Sequence, residues 1–228
     1  MNPSEQPTGF LAAPTGGTGP AVLVLHAWWG LNDTIKGFCT RLAQEGFVAF
    51  APDLYHGKVA TNVADAESLG KALDARHVNA KAEIAQAAAF LMQRASRMER
   101  GLAVIGFSLG AYYALALSAT DPELVRAVVL FYGTGDDDFT HAKAAYLGHF
   151  AERDRFEPPG NVNALEAALE RSGREVTFHR YAGAGHWFFE PDRTDAYDPA
   201  AARLAWERTV TFLRGWAAGE PPESAASD

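Results

Sequence analysis

The chain has a single cysteine, Cys39, among 228 residues. That excludes an internal disulfide and any cysteine-built metal cluster, and a reducing cytoplasm is the simplest location for it. No apolar run approaches the roughly 20 residues that cross a bilayer. The N-terminus also lacks the basic segment and long apolar stretch of a signal peptide. Positive charge is scarce: 20 Lys and Arg stand against 28 Asp and Glu, a formal charge of -8, and no Lys/Arg run offsets this locally. Neither nucleic acid nor a membrane surface is therefore an expected partner.

Apolar residues make up 48% of the chain, enough to fill one sizeable core at this length, so a single domain over 1–228 is expected. Its ordered part should run from about 9 to 217, between polar termini at 1–8 and 219–228. Apolar runs of strand length lie at Ala21–His26, Phe47–Pro52, Leu102–Ile105, Ala127–Tyr132, Ala144–Phe150 and Val176–Tyr181, with Gly9–Pro14 as a candidate edge strand. Segments of helical period alternate with them, at Thr34–Gln44, Val78–Arg97, Leu109–Thr120, Asn161–Ser172 and Pro199–Ala217. Such alternation requires crossovers, which predicts an α/β fold with a mostly parallel central sheet, helices on both faces and no large cap domain. The polar stretch 55–76 is a candidate partial lid.

In open α/β sheets ligands bind beyond the carboxyl ends of the strands. Four chemically equipped segments fall there: His26-Ala27-Trp28-Trp29-Gly30, the elbow Gly106-Phe107-Ser108-Leu109-Gly110, Ala151-Glu152-Arg153-Asp154, and Ala182-Gly183-Ala184-Gly185-His186-Trp187. A serine on a strand-to-helix turn projects its hydroxyl clear of the backbone, with the helix N-terminus behind it to favour developing negative charge. Serine is too weakly acidic to attack a carbonyl unaided, so it needs an imidazole in reach and a carboxylate to orient that ring. His186 and Asp154 fit these roles, in the chain order nucleophile, acid, base. Glu152 is the rival acid, and placement at the strand exit favours Asp154. The expected oxyanion donors are the backbone N–H groups of Leu109 and Trp28, with Ala27 as near neighbour. Ala27, Trp29, Trp187, Phe188 and Glu190 are candidate pocket residues. Large aromatics after strands are as often core, and Trp206 and Trp216 read as packing residues. Asp53 precedes the serine and reads as a loop brace, and Cys39 as a small buried hydrophobe.

These residues resemble the dienelactone hydrolase family of α/β-hydrolases. The resemblance covers about Val22 to Leu213. Its more specific segments are Ala51-Pro52-Asp53-Leu54-Tyr55 and Ala182-Gly183-Ala184-Gly185-His186, since the elbow is shared by all α/β-hydrolases. It implies the hydrolase fold and an ester-cleaving triad with no metal or cofactor. Namesake enzymes of the family use a cysteine at the elbow, restrained by a glutamate, and bind a lactone carboxylate through arginines. Here the elbow carries Ser108, the glutamate position is Ala27, and Glu190 stands where an arginine is expected. A chain lacking those features should bind an anionic dienelactone poorly, and Glu190 would repel it. The expected function is therefore hydrolysis of a small carboxylic ester or lactone by Ser108. A thioesterase or small-peptide hydrolase would use the same residues, and a non-catalytic ligand-binding module on this fold would leave the serine unreactive.

Overall fold

The computed structural model describes residues 6–96 and 100–219. Arg97, expected to close the second predicted helix, and most of the polar termini, 1–5 and 220–228, lie outside the described residues. Seven strands form one sheet: β1 (Gly9–Ala12), β2 (Ala21–Leu25), β3 (Val48–Pro52), β4 (Leu102–Phe107), β5 (Val125–Phe131), β6 (Ala145–Arg153) and β7 (Val176–Gly185). Their order is β1-β3-β2-β4-β5-β6-β7. Only β1 is antiparallel, pairing Gly9 with Pro52 at the edge. Every residue of β2, β3 and β4 is buried, which is why these strands read as continuous apolar runs: neither face meets water.

Helices cover both faces. α1 (Asp33–Gln44) and α6 (Pro199–Ala218) pack on one, where Phe38, Cys39, Leu42, Ala205 and Leu213 meet Val22, Val24, Ile105 and Val129. α3 (His77–Met92), α4 (Leu109–Thr120) and α5 (Pro159–Arg171) cover the other, where Ile84, Leu91, Tyr113 and Leu165 meet Leu23, Leu25, Val104 and Val128. The alternating positions of each strand thus divide cleanly between two cores. Helix starts follow capping chemistry: the Asn32 side chain accepts from Ile35 N, and Asp198 accepts from the N–H groups of Ala200 and Ala201 ahead of a first-turn proline.

The elements depart from the sequence reading in three informative ways. The 55–76 stretch contains a helix that was not expected, α2 (Val63–Asp74), capped by the Asn62 side chain on Asp65 N. It buries Ala66, Gly70 and Leu73, so this region is packed rather than loose. α3 ends at Met92, because Ala95 bridges to Gly19 and Ser96 N donates to Gly19 O, pulling the chain into extended backbone. Strands β4, β6 and β7 each run further than their apolar residues suggest, to Phe107, Arg153 and Gly185. The consequence is positional: Ser108, Asp154 and His186 are each the first residue off a strand.

Candidate active site

Ser108 stands at φ 49° and ψ -112°, a conformation that a non-glycine residue adopts only where its surroundings over-determine it. Two glycines permit the turn. A Cβ at Gly106 would lie 2.4 Å from Gly110 O, and one at Gly110 would lie 2.2 Å from Leu25 O. The same closeness brings the turn after β2 against the start of α4. Ser108 N donates to Phe131 O at 2.8 Å, tying the elbow to the end of β5. Leu109 begins α4, where a backbone N–H has no intrahelical partner.

Ser108 Oγ lies 2.9 Å from His186 Nε2, and His186 Nδ1 lies 2.6 Å from Asp154 Oδ2. The His186 and Asp154 side chains are 6% and 2% exposed, so a short charge-assisted bond is shielded from competing water. The second oxygen of Asp154 accepts from Phe156 N and Glu157 N, both at 2.9 Å. This fixes the carboxylate plane. Glu152 is still within β6 and exposed, and its carboxylate accepts from Gly183 N at 2.8 Å. Of the two acids, Asp154 meets the imidazole and Glu152 braces the loop leading to it.

In the turn after β2, Ala27 is buried and its carbonyl accepts from Gly30 N. His26 is buried as well, with Nδ1 on Ala27 O at 2.8 Å and Nε2 accepting from Leu54 N at 3.3 Å. Burial lowers its pKa, so it is a neutral strut. Asp53 accepts from Tyr55 N and Gly57 N, the loop-bracing role expected for it. Trp28 reaches α2: a Cβ on Gly70 would stand 2.4 Å from the indole nitrogen. Its ring lies edge-on to Phe156, which packs in turn on His186 at 5.1 Å and Trp187 at 4.9 Å between centroids. Phe156 is 40% exposed. A cleft of about 720 Å³ opens on this side, lined by Arg155, Phe156, Gly185, His186, Trp187 and Tyr197 among others.

The other candidate pocket residues lie deeper than expected. Trp29, Phe188 and Glu190 are 2%, 0% and 0% exposed. Trp29 packs edge-on to Trp187 beneath the Arg193 guanidinium, and Phe188 packs on Tyr132 and Tyr181. Glu190 accepts from Tyr132 Oη at 2.7 Å. Burial pushes its carboxyl pKa up to about 8, so it keeps its proton at neutral pH. The expected repulsion of an anionic substrate therefore has no basis in this side chain. Two residues around the site were not anticipated. Phe156 is signalled by its place two residues after Asp154. Tyr132 is the first residue off β5, a position the strand-exit rule already marks. Cys39 is buried and free, its thiol pKa pushed well up by burial, consistent with a packing role.

A parallel sheet with a serine elbow after β4, an acid after β6 and a histidine after β7 defines an α/β-hydrolase. The dienelactone hydrolase family model matches residues 8–216, and the chain belongs to that family of carboxylic ester hydrolases. A protein of Aquifex aeolicus named as a candidate carboxymethylenebutenolidase is 35% identical over 213 residues, covering 90% of this chain and 92% of its own. A Bradyrhizobium protein named as a candidate lactonase of 2-oxo-3-(5-oxofuran-2-ylidene)propanoate is 31% identical, covering 92% and 90%. The crystal structure of a candidate dienelactone hydrolase from Klebsiella pneumoniae superposes with a TM-score of 0.77 at 25% identity, over 89% of this chain and 90% of that one. Among the described residues no helix is long and apolar enough to cross a membrane.

Proposed function

We propose that the chain is a cytoplasmic serine hydrolase that cleaves a small carboxylic ester or lactone through an acyl-enzyme on Ser108. The observation that carries this reading is the continuous chain from Ser108 Oγ to His186 Nε2 at 2.9 Å and from His186 Nδ1 to Asp154 Oδ2 at 2.6 Å. With Nδ1–H donated to the carboxylate, Nε2 is the acceptor and the serine hydroxyl donates to it. As Oγ attacks the carbonyl carbon, its proton passes to Nε2, and Asp154 stabilises the imidazolium. The N–H groups of Leu109 and Trp28 hold the oxyanion, a contribution typically on the order of 3 kcal/mol per donor. His186 then protonates the leaving alkoxide, the carbon–oxygen bond breaks, and the acyl group remains on Ser108. A water, deprotonated by the same Nε2, attacks the ester and returns the serine.

The lactonase and butenolidase names of the relatives support the lactone half of this reading. The cleft beside His186 reaches the base, and its lining mixes the Phe156 and Trp187 rings with Arg153, Arg155, Asp195 and Asp198. The test is a panel of p-nitrophenyl esters, lactones and thioesters, assayed with wild type and Ser108→Ala. Hydrolysis of the oxygen esters or lactones by wild type and its loss in the variant are expected. A wild-type protein inert across the panel, or a Ser108→Ala variant as active as wild type, would contradict the proposal.

A further inference from the structure

Tyr132 and Glu190 form a buried polar pair that none of the steps above uses. Tyr132 leaves β5 at φ 39°, outside the conformations favoured by a side-chain-bearing residue, and is completely buried. Its N–H donates to His149 O of β6 at 2.8 Å. One residue earlier, Phe131 O receives the N–H of Ser108, so the end of β5 is joined directly to the elbow. The Tyr132 ring lies 4.9 Å from the His186 ring, centroid to centroid, inclined at 57°. Its hydroxyl reaches past His186 to the turn that follows and donates to Glu190 Oε1.

That turn is tight and strained. Trp187 has φ 66°, Phe188 N donates to Gly185 O, and Glu190 N donates to Trp187 O. Glu190 Oε2 has no hydrogen-bond partner although it is buried, so the carboxyl sits where solvation does not hold it and only Tyr132 does. A buried glutamate with one partner is costly compared with an apolar residue of similar size. The charged and titratable groups around the pair are Asp192 and Arg193 on the same loop and Asp154 beyond the Tyr132 ring.

We propose that Tyr132 and Glu190 are positioning residues for His186. Their hydrogen bond clamps the turn behind the base to the end of β5, the neighbouring strand whose Phe131 O holds the elbow's Ser108 N–H, and the Tyr132 ring forms the floor on which the imidazole keeps its reach to Ser108. The inference rests on the serine-hydrolase reading above. It differs from simple packing in one consequence: the clamp needs an acceptor at position 190, not a charge. Glutamine satisfies it, whereas methionine, of similar volume, does not.

The experiment measures kcat and KM for a neutral p-nitrophenyl ester in wild type, Tyr132→Phe, Glu190→Met and Glu190→Gln, with thermal melts and the rate of fluorophosphonate labelling at Ser108 measured alongside. Tyr132→Phe and Glu190→Met are expected to lower kcat and the labelling rate by about tenfold or more with KM within about twofold, the signature of an interaction used in the transition state. Glu190→Gln should lose less than about threefold. Equal kcat in all four folded proteins would overturn the proposal, as would a Glu190→Gln loss as large as that of Glu190→Met. If Tyr132→Phe does not fold, the contrast between Gln and Met at 190 still decides. An unlabelled wild type overturns the serine-hydrolase reading and this inference with it, whereas a labelled wild type with equally labelled variants overturns the inference alone.

Discussion

Ser108 and His186 face each other across 2.9 Å, yet they are held in opposite ways. The serine is fixed by the absence of side chains: Gly106 and Gly110 let α4 and the turn after β2 close on the elbow at distances no Cβ tolerates. The histidine is fixed by side chains arriving from elsewhere in the chain. Asp154 comes from the end of β6, Phe156 packs from the turn beyond it, and Tyr132 lies beneath from the end of β5. A nucleophile on a backbone elbow is therefore vulnerable to added bulk, and a base on a loop is vulnerable to lost partners.

This contrast is sharpened most by removing the reacting atoms. Ser108→Ala should lower kcat by about 10⁴-fold or more while leaving the melting temperature nearly unchanged, since one oxygen is deleted from a cleft. Asp154→Asn should lower kcat by roughly 10³- to 10⁴-fold, because its amide oxygen stays with the N–H groups of Phe156 and Glu157, so the NH2 faces Nδ1, donates to it and favours the wrong tautomer. Glu152→Gln keeps an acceptor for Gly183 N and should leave kcat close to wild type. A reversed ranking of these two acids in steady-state assays would exchange their roles.

The pH dependence of stability probes the base side of the comparison. Unfolded, Glu190 ionises near its ordinary value of 4.5, and folded it holds its proton to about 8. Between these values the native state binds more protons than the unfolded one, so this group's contribution to stability falls as pH rises through that window and is flat above it. The total is on the order of a few kcal/mol, since a tenfold change in an acid's ionisation constant corresponds to about 1.4 kcal/mol. Glu190→Gln should flatten this slope in denaturation curves taken from pH 5 to 9. Parallel curves for the two proteins would mean that Glu190 is charged in the native state.

Bulk probes the elbow side. Gly110→Ala places a methyl 2.2 Å from Leu25 O, which should cost roughly 1–3 kcal/mol in urea denaturation and reduce activity through the displaced elbow. Gly37→Ala is the control. Gly37 is exposed within α1 with nothing near its Cβ position, and the change should stabilise by about 0.4–1 kcal/mol. If both substitutions behaved alike, close packing would not be what holds the elbow.

What the sequence revealed follows the same division. The sheet, its crossovers and the elbow are written in local patterns, namely continuous apolar strands and a glycine-flanked serine between strand and helix. The Ser-Asp-His order and the comparison of Asp154 with Glu152 also follow from placement at strand ends. Burial of Glu190 is not legible there, because its partner Tyr132 is 58 residues away. A charged residue four positions after a histidine looks exposed until the fold supplies that hydroxyl. α2 escapes a reading by periodicity because its buried face is only Ala66, Gly70 and Leu73, too slight to mark a period. Its signal is the Asn62 cap followed by Asp65 three residues on.

The central claim, that Ser108 is an activated nucleophile driven by His186 and Asp154, is tested most directly by fluorophosphonate labelling followed by peptide mapping of the intact protein. The account predicts stoichiometric label on Ser108 in wild type, none in Ser108→Ala, and strongly slowed labelling in His186→Ala and Asp154→Asn. Folded wild-type protein that takes up no label, or takes it up at another residue, would contradict it.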